Sequence, residues 1–259
     1  MSTAGGEPAA RRRHTPNDTL TTLALLVLFL ALWQGLTFVL AVPAWLLPPP
    51  STILATLVTD FRVLLLRHTW VTVQEILAGF FIGGGLGLAL GILLAHIPRL
   101  ERILSPFVVA VQTTPKIALA PLFVVWFGFG LTSKVVIVAM ISFFPLMVNA
   151  VAGFTALDPA IEEMMRSLNA TRQQVFLLAR LPGALPALFA GARIAIVQSV
   201  VGAVAAEFVG AKEGLGYLVV YTGSLLQTER LFAVLVLLLL VGLVLYWAVV
   251  ALERHIITW

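Results

Sequence analysis

Four stretches of the chain carry no charged residue and are each long enough to cross a lipid bilayer: 20–42, 76–95, 135–157 and 231–252. A spanning helix needs roughly 20 mostly apolar residues. A water-soluble core has no place for four such runs. Two further segments qualify if isolated charges are tolerated: 103–131, interrupted by Lys116, and 185–209, interrupted by Arg193 and ending near Glu207. The pattern predicts an all-α membrane protein with six transmembrane helices. Composition agrees: 60% of the residues are hydrophobic and 11% are charged, against about 25% charged in soluble domains. The first stretch exceeds the apolar core of a cleavable signal peptide, about 7 to 15 residues, so it reads as a retained helix.

Charge placement predicts an orientation. With residues 1–19 as a cytoplasmic tail, the inner segments hold Arg11, Arg12, Arg13, Arg99, Arg102, Arg166, Arg172, Arg180 and Arg254, and the outer ones hold Arg62, Arg67, Lys134, Lys212 and Arg230. The excess of inner arginines places both termini in the cytoplasm. No aromatic residues accompany the Arg11–Arg13 run, so no nucleic-acid partner is expected. The chain has no cysteine, which excludes thiolate catalysis, zinc–thiolate sites and iron–sulfur clusters.

Between the first two spans, Pro48, Pro49 and Pro50 break the chain and Ser51 is placed to cap a helix. Apolar residues at helical spacing among Asp60, Arg62 and Arg67 predict an amphipathic helix over 48–68 at the outer interface. Small residues recur every four positions at Gly79, Gly83, Gly87 and Gly91, and again at Ala187, Gly191, Ala195, Ser199 and Ala203. That spacing lets helices approach closely in lipid, either within one chain or between two.

The segment 158–182 has local signals of its own. Asp158 before Pro159 marks a helix start. Ile161, Met164, Met165 and Leu168 then form an apolar face opposite Glu162, Glu163 and Arg166. Asn169 suits the left-handed residue that ends a helix, Thr171 is placed to cap a second short helix over 172–180, and Pro182 is expected to stop it. Two short amphipathic helices on the cytoplasmic side form a surface for a soluble partner.

The run Glu163, Met164, Met165, Arg166, Ser167, Leu168, Asn169, closed by Leu181 and Pro182, resembles the signature loop of bacterial binding-protein-dependent ABC importer permeases. The usual alanines are replaced by Met164 and Met165, and the usual glycine by Asn169, the commonest non-glycine residue at positive φ. The resemblance extends through LPPPSTILATL, PKIALAPLFVVWFGFG, FFPLMVNAVAGF and AAEFVGAKEGLGYL, and is strongest to the nitrate, sulfonate and taurine branch, with pyrimidine-precursor, riboflavin and phthalate-type importers beside it. It implies the type I permease fold over 20–259 in the bacterial inner membrane. It further implies a second copy of the chain, an extracytoplasmic solute-binding protein, and two cytoplasmic ATPase subunits that hold ATP and magnesium. Glu162, Glu163, Met164, Met165, Arg166, Ser167, Leu168, Asn169 and Ala170 would contact the ATPase. The chain contains no G-x-x-x-x-G-K-[ST] phosphate loop, so neither ATP, another cofactor nor a metal is expected on it.

Ionisable and polar residues inside spans are candidates for a solute pathway. Lys116, Asn149, Arg193, Gln198 and Glu207 form that set, suited to an anionic or polar solute. The plainer alternative is that Lys116 and Arg193 snorkel to the inner interface or pair structurally, with Glu207 at the outer surface. Glu75 reads as a dipole-favoured residue opening the second span. A stand-alone carrier or channel would have no use for the cytoplasmic loop. A membrane-embedded enzyme lacks support: His14, His68, His96 and His255 fall at or beyond helix ends, and no carboxylate pair is apparent within a span.

Overall fold

A computed structural model describes residues 16–60, 62 and 65–259. The basic triplet Arg11–Arg13, His14 and most of the expected tail 1–19 lie outside the described residues. The spans run as α1 (Pro16–Val39), α3 (Leu66–His96), α6 (Leu131–Thr155), α9 (Leu181–Phe208) and α11 (Thr228–Ile256). Shorter helices lie between them: α2 (Pro50–Asp60), α4 (Pro98–Thr113), α5 (Ala120–Phe127), α7 (Pro159–Ser167), α8 (Arg172–Val175) and α10 (Leu215–Ser224). Among the described residues five helices are long and apolar enough to cross a membrane, and a bent pair, α4 with 116–127, completes six when counted as one span.

The bend falls inside the span expected over 103–131, beside Lys116, which interrupts it. The two halves meet at 77°, because Pro115 lacks an N–H and excludes the helical conformation at the residue before it. Thr114 is accordingly extended, with ψ 132°. The outer element differs from expectation. Helix α2 ends at Asp60, and residues 66–68 already belong to α3. Ser51 lies within α2 rather than capping it, and its N–H is donated to Gln34 Oε1 at 3.1 Å.

The centre of the bundle is α6, gripped between α3 and α9. The four-residue glycine stripe of α3 faces α6. A Cβ at Gly83 would run into the Ala139 carbonyl, one at Gly87 into the Phe143 carbonyl, and one at Gly91 would lie 2.7 Å from the Met147 oxygen. The stripe of α9 meets the opposite face, where a Cβ at Gly191 would lie 2.7 Å from Asn149 Cβ and 3.0 Å from the Pro145 oxygen. Both stripes are therefore used inside the chain, where close backbone approach replaces the hydrophobic drive that lipid does not supply. Around this seam Ile76, Val138, Ile196, Leu215, Leu218 and Val234 form a buried core. Helix α1 stays outside it, touching α11 through the Trp33 and Phe232 rings at 5.9 Å.

Pro182 does not end the second short helix expected over 172–180. Helix α8 passes through a widened π turn at Phe176–Arg180 into α9, giving one helix of 37 residues over Arg172–Phe208. The wider turn resets the hydrogen-bond register, so Pro182 falls in the first turn of the new segment, where a missing N–H is tolerated. The loop thus presents one free short helix, α7, followed by an extension of α9.

Candidate functional site

Three groups of polar residues stand out along the bundle. The first is the α7 loop. Asp158 caps α7, its Oδ1 accepting the Ala160 N–H at 2.9 Å. The helix ends where Asn169 adopts φ 58° and its N–H bonds the Arg166 carbonyl at 2.9 Å. Thr171 and Gln174 then exchange reciprocal capping bonds at 3.3 and 2.7 Å, the capping-box arrangement. Glu162 holds α7 to the extension of α9: one carboxylate oxygen accepts from Arg166 at 2.6 Å and the other from Arg180 at 2.8 Å. The Arg180 guanidinium, seconded by Arg166, holds this carboxyl below the usual glutamate range. No residue of α7 is buried. Ile161, Met164 and Leu168 expose their apolar surface, Leu168 to 74%, and Glu163 and Ser167 are exposed beside them. The helix is fixed at its base and bare on its apolar face.

The second group lines a cavity of about 290 Å³ between the bend of 114–116, α6 and α9. Lys116, Asn149 and Gln198 meet there with Gln112 and Phe144. The ammonium of Lys116 donates to the Gln112 carbonyl at 3.0 Å and sits 5.0 Å from the centre of the Phe144 ring, a cation–π contact. No carboxylate pairs with it among the described residues. Asn149 donates to the Pro145 carbonyl at 2.8 Å. Three of the five expected pathway residues thus come together. Arg193 instead pairs with Glu253 of α11 at 3.2 Å, and Glu207 belongs to the third group.

That third group was not anticipated as a unit. Glu75 lies in the third turn of α3 rather than at its start, so the reading of Glu75 as a dipole-favoured opening residue is corrected. It is fully buried and paired with Lys134 of α6 at 2.6 Å. Glu207 of α9 is likewise buried rather than at the outer surface. It accepts from Thr72 Oγ1 at 2.6 Å and from the Gly216 N–H. Thr72, one turn before Glu75 on α3, ties Glu207 to the same helix, so a carboxylate from α3 and one from α9 are buried in one group, an arrangement across two spans that a search within single spans does not reveal. The turn before α10 closes over them: Leu215 N–H donates to Thr72 Oγ1 at 2.7 Å and Gly214 N–H to His68 Nδ1 at 3.0 Å. Gly214 takes φ 117° there, and a Cβ would collide with Glu207. One signal for this cluster was present in the sequence, since Glu75 and Lys134 are lone opposite charges beside uncharged runs at the same membrane level. Among the described residues no group of His, Asp and Glu side chains is arranged to hold a metal ion.

Residues 87–258 match the family described as binding-protein-dependent transport system inner membrane component. The chain is 37% identical over 235 residues to the riboflavin transport system permease protein of Chloroflexus aurantiacus, covering 90% of this chain and 88% of that one. It is 34% identical over 238 residues to the formylaminopyrimidine transport permease protein of Halalkalibacterium halodurans, covering 92% and 94%. Its fold matches a chain of the inward-facing MetNI methionine ABC transporter with a TM-score of 0.65 and 26% identity, over 74% of this chain and 95% of that one. The α7 loop, the α3–α6–α9 bundle and these likenesses lead to one conclusion: the chain belongs to the binding-protein-dependent transport system inner membrane components, the permeases of ABC importers.

Proposed function

We propose that this chain forms half of a solute pathway, two copies pairing in the inner membrane with both termini in the cytoplasm. The α7 loop of each copy would dock on a separate cytoplasmic ATPase that carries ATP and magnesium. A solute-binding protein on the outer side would deliver the cargo. The observation that carries this reading is the state of α7, anchored through Glu162 to Arg166 and Arg180 yet exposing Ile161, Met164 and Leu168. An apolar helix face held rigidly outside a membrane bundle suits a groove in a soluble partner. Movement of that partner would pass through Arg180 into the single helix Arg172–Phe208, and so into the wall carrying Gln198.

The cargo is proposed to be a small organic or anionic solute, of the nitrate, sulfonate, taurine or pyrimidine-precursor kind. Lys116, Asn149 and Gln198 would line its route. Support comes from the unpaired ammonium beside two amides on one cavity.

The test is co-purification and ATP hydrolysis of the ATPase subunit encoded beside this chain, reconstituted with wild type, Glu163→Ala and Glu163→Arg. Wild type should assemble with the ATPase and raise its rate, while Glu163→Arg should lose most of both. A wild-type chain that neither binds nor stimulates the ATPase would remove the coupling role and leave a stand-alone carrier as the better reading.

A further inference from the structure

A separate cavity of about 260 Å³ lies beneath α7, between it and the ends of two spans. Its walls bring together Arg166 from α7, Arg172 and Arg180 from the following helix, Glu162, Phe176, and His96 at the end of α3. Three guanidiniums face one carboxylate, so the cavity has an excess of positive charge. Both oxygens of Glu162 are already taken by Arg166 and Arg180, each of which uses one of its five N–H donors in that bond. Arg172 has no carboxylate partner among the described residues. His96 bonds the Ile92 carbonyl through Nδ1 at 2.8 Å, leaving Nε2 free of that contact.

We propose that this cavity binds a phosphate group, carried by an anionic phospholipid headgroup or present as free inorganic phosphate. Planar guanidinium forks recognise phosphate oxygens in pairs, and basic pockets among the cytoplasmic ends of spans suit lipid headgroups. The surroundings fit that membrane level. On the turn that carries Arg180, Leu177 and Leu178 are 49% and 69% exposed, an apolar flank beside the charged cavity. A phosphate there would bridge Arg166 of α7 to Arg172 and Arg180, adding a second tie between the exposed helix and the span that follows it. Occupancy would then stiffen the element proposed to receive the motion of the ATPase.

The experiment compares purified full-length wild type with Arg172→Gln, Arg166→Gln/Arg172→Gln and, as a control on the opposite face, Lys212→Gln. Native mass spectrometry from mixed phosphatidylglycerol and phosphatidylcholine measures retained lipid. Thermal unfolding in detergent with inorganic phosphate against chloride at equal ionic strength measures free anion binding. Loss of charge-assisted bonds at Arg172 should weaken binding about tenfold, more in the double variant, and leave Lys212→Gln at the wild-type level. A tenfold fall in phosphatidylglycerol adducts alone identifies the headgroup as the source. A phosphate-dependent rise in unfolding temperature that disappears in Arg172→Gln, without a lipid preference, identifies free phosphate. Equal lipid retention and an equal phosphate response in wild type and both arginine variants overturn the proposal. Arg172 is exposed and unpaired, so its substitution leaves folding intact and each result interpretable.

Discussion

Helix α6 carries two polar regions that solve the same problem in opposite ways. Near its start, Lys134 is only 9% exposed and sits in a closed network with Glu75, Glu207, Thr72 and the turn before α10. Further along, Asn149 borders the cavity with Lys116, whose ammonium has a carbonyl and a ring for company but no carboxylate. Both lysines lie among apolar helices. One is given a counter-charge by Glu75 of a neighbouring helix, and the other is left open to a cavity. A cation enclosed with carboxylates stabilises the arrangement of helices around it. A cation left beside open space has attraction to offer a passing anion. Charge in the membrane is therefore informative only together with what surrounds it.

The largest expected effect breaks the closed side of this comparison. Lys134→Met leaves Glu75 buried without its ammonium, and breaking a buried pair in this way costs about 3–5 kcal/mol. Unfolding in nanodiscs should show that loss, while Lys116→Met should change stability little. The double variant Glu75→Gln/Lys134→Met should recover most of the loss, since replacing both charges removes the uncompensated one. A single variant as stable as wild type would mean that the network does not hold α3, α6 and α9 together.

The open side is tested by transport. With the importer assembled and an anionic solute supplied, Lys116→Gln should weaken the apparent affinity of uptake about tenfold, the scale of one charge-assisted hydrogen bond. Stability and ATPase assembly should stay at wild-type levels, which separates this outcome from that of Lys134→Met. Unchanged uptake of an anion would move the solute's route away from Lys116 and reduce the difference between the two lysines to one of exposure.

The two regions also differ in how far the sequence reveals them. Local signals read well. Asp158, Asn169 and Thr171 perform the capping and turning roles their chemistry suggests, because caps involve residues only a few positions apart. Each of the four uncharged runs falls largely within a span, and the glycine stripes mark where helices touch. Lys116, Asn149 and Gln198 were legible as candidates because polar residues are rare inside apolar runs. What they share with Arg193 and Glu207 in sequence, they do not share in space, since rotation about a helix axis and a partner such as Glu253 decide where each side chain goes. The Glu75–Lys134–Glu207 network joins three helices and a turn, so no window of sequence contains it. Pro115 and Pro182 show the same limit at short range. Both are breakers by rule, yet one bends the chain by 77° and the other is absorbed by a π turn, because tertiary packing decides whether the hydrogen-bond register can shift.

The smallest expected effect concerns a third kind of charge, the exposed bridge at Glu162, and it extends the comparison to the membrane's edge. Arg180, and behind it Arg166, depress this carboxyl from the ordinary glutamate value of 4.5. A depressed folded-state value means that the bridge stabilises the fold above the ordinary carboxylate range and that this contribution is lost as the pH falls through the depressed value. Arg166 is 71% exposed and Glu162 24%, so solvent screening keeps the contribution below about 1 kcal/mol. Wild type should therefore unfold slightly later than Glu162→Gln at neutral pH, and the gap should close as the medium is acidified through the carboxylate range. Other groups titrate alike in both proteins, so the difference between the two curves isolates Glu162. A gap that persists unchanged into acid would show that Glu162 acts through packing and hydrogen bonding rather than charge. The bridge would then resemble neither the enclosed lysine nor the open one, and the fastening of α7 would depend on the shape of the side chain alone.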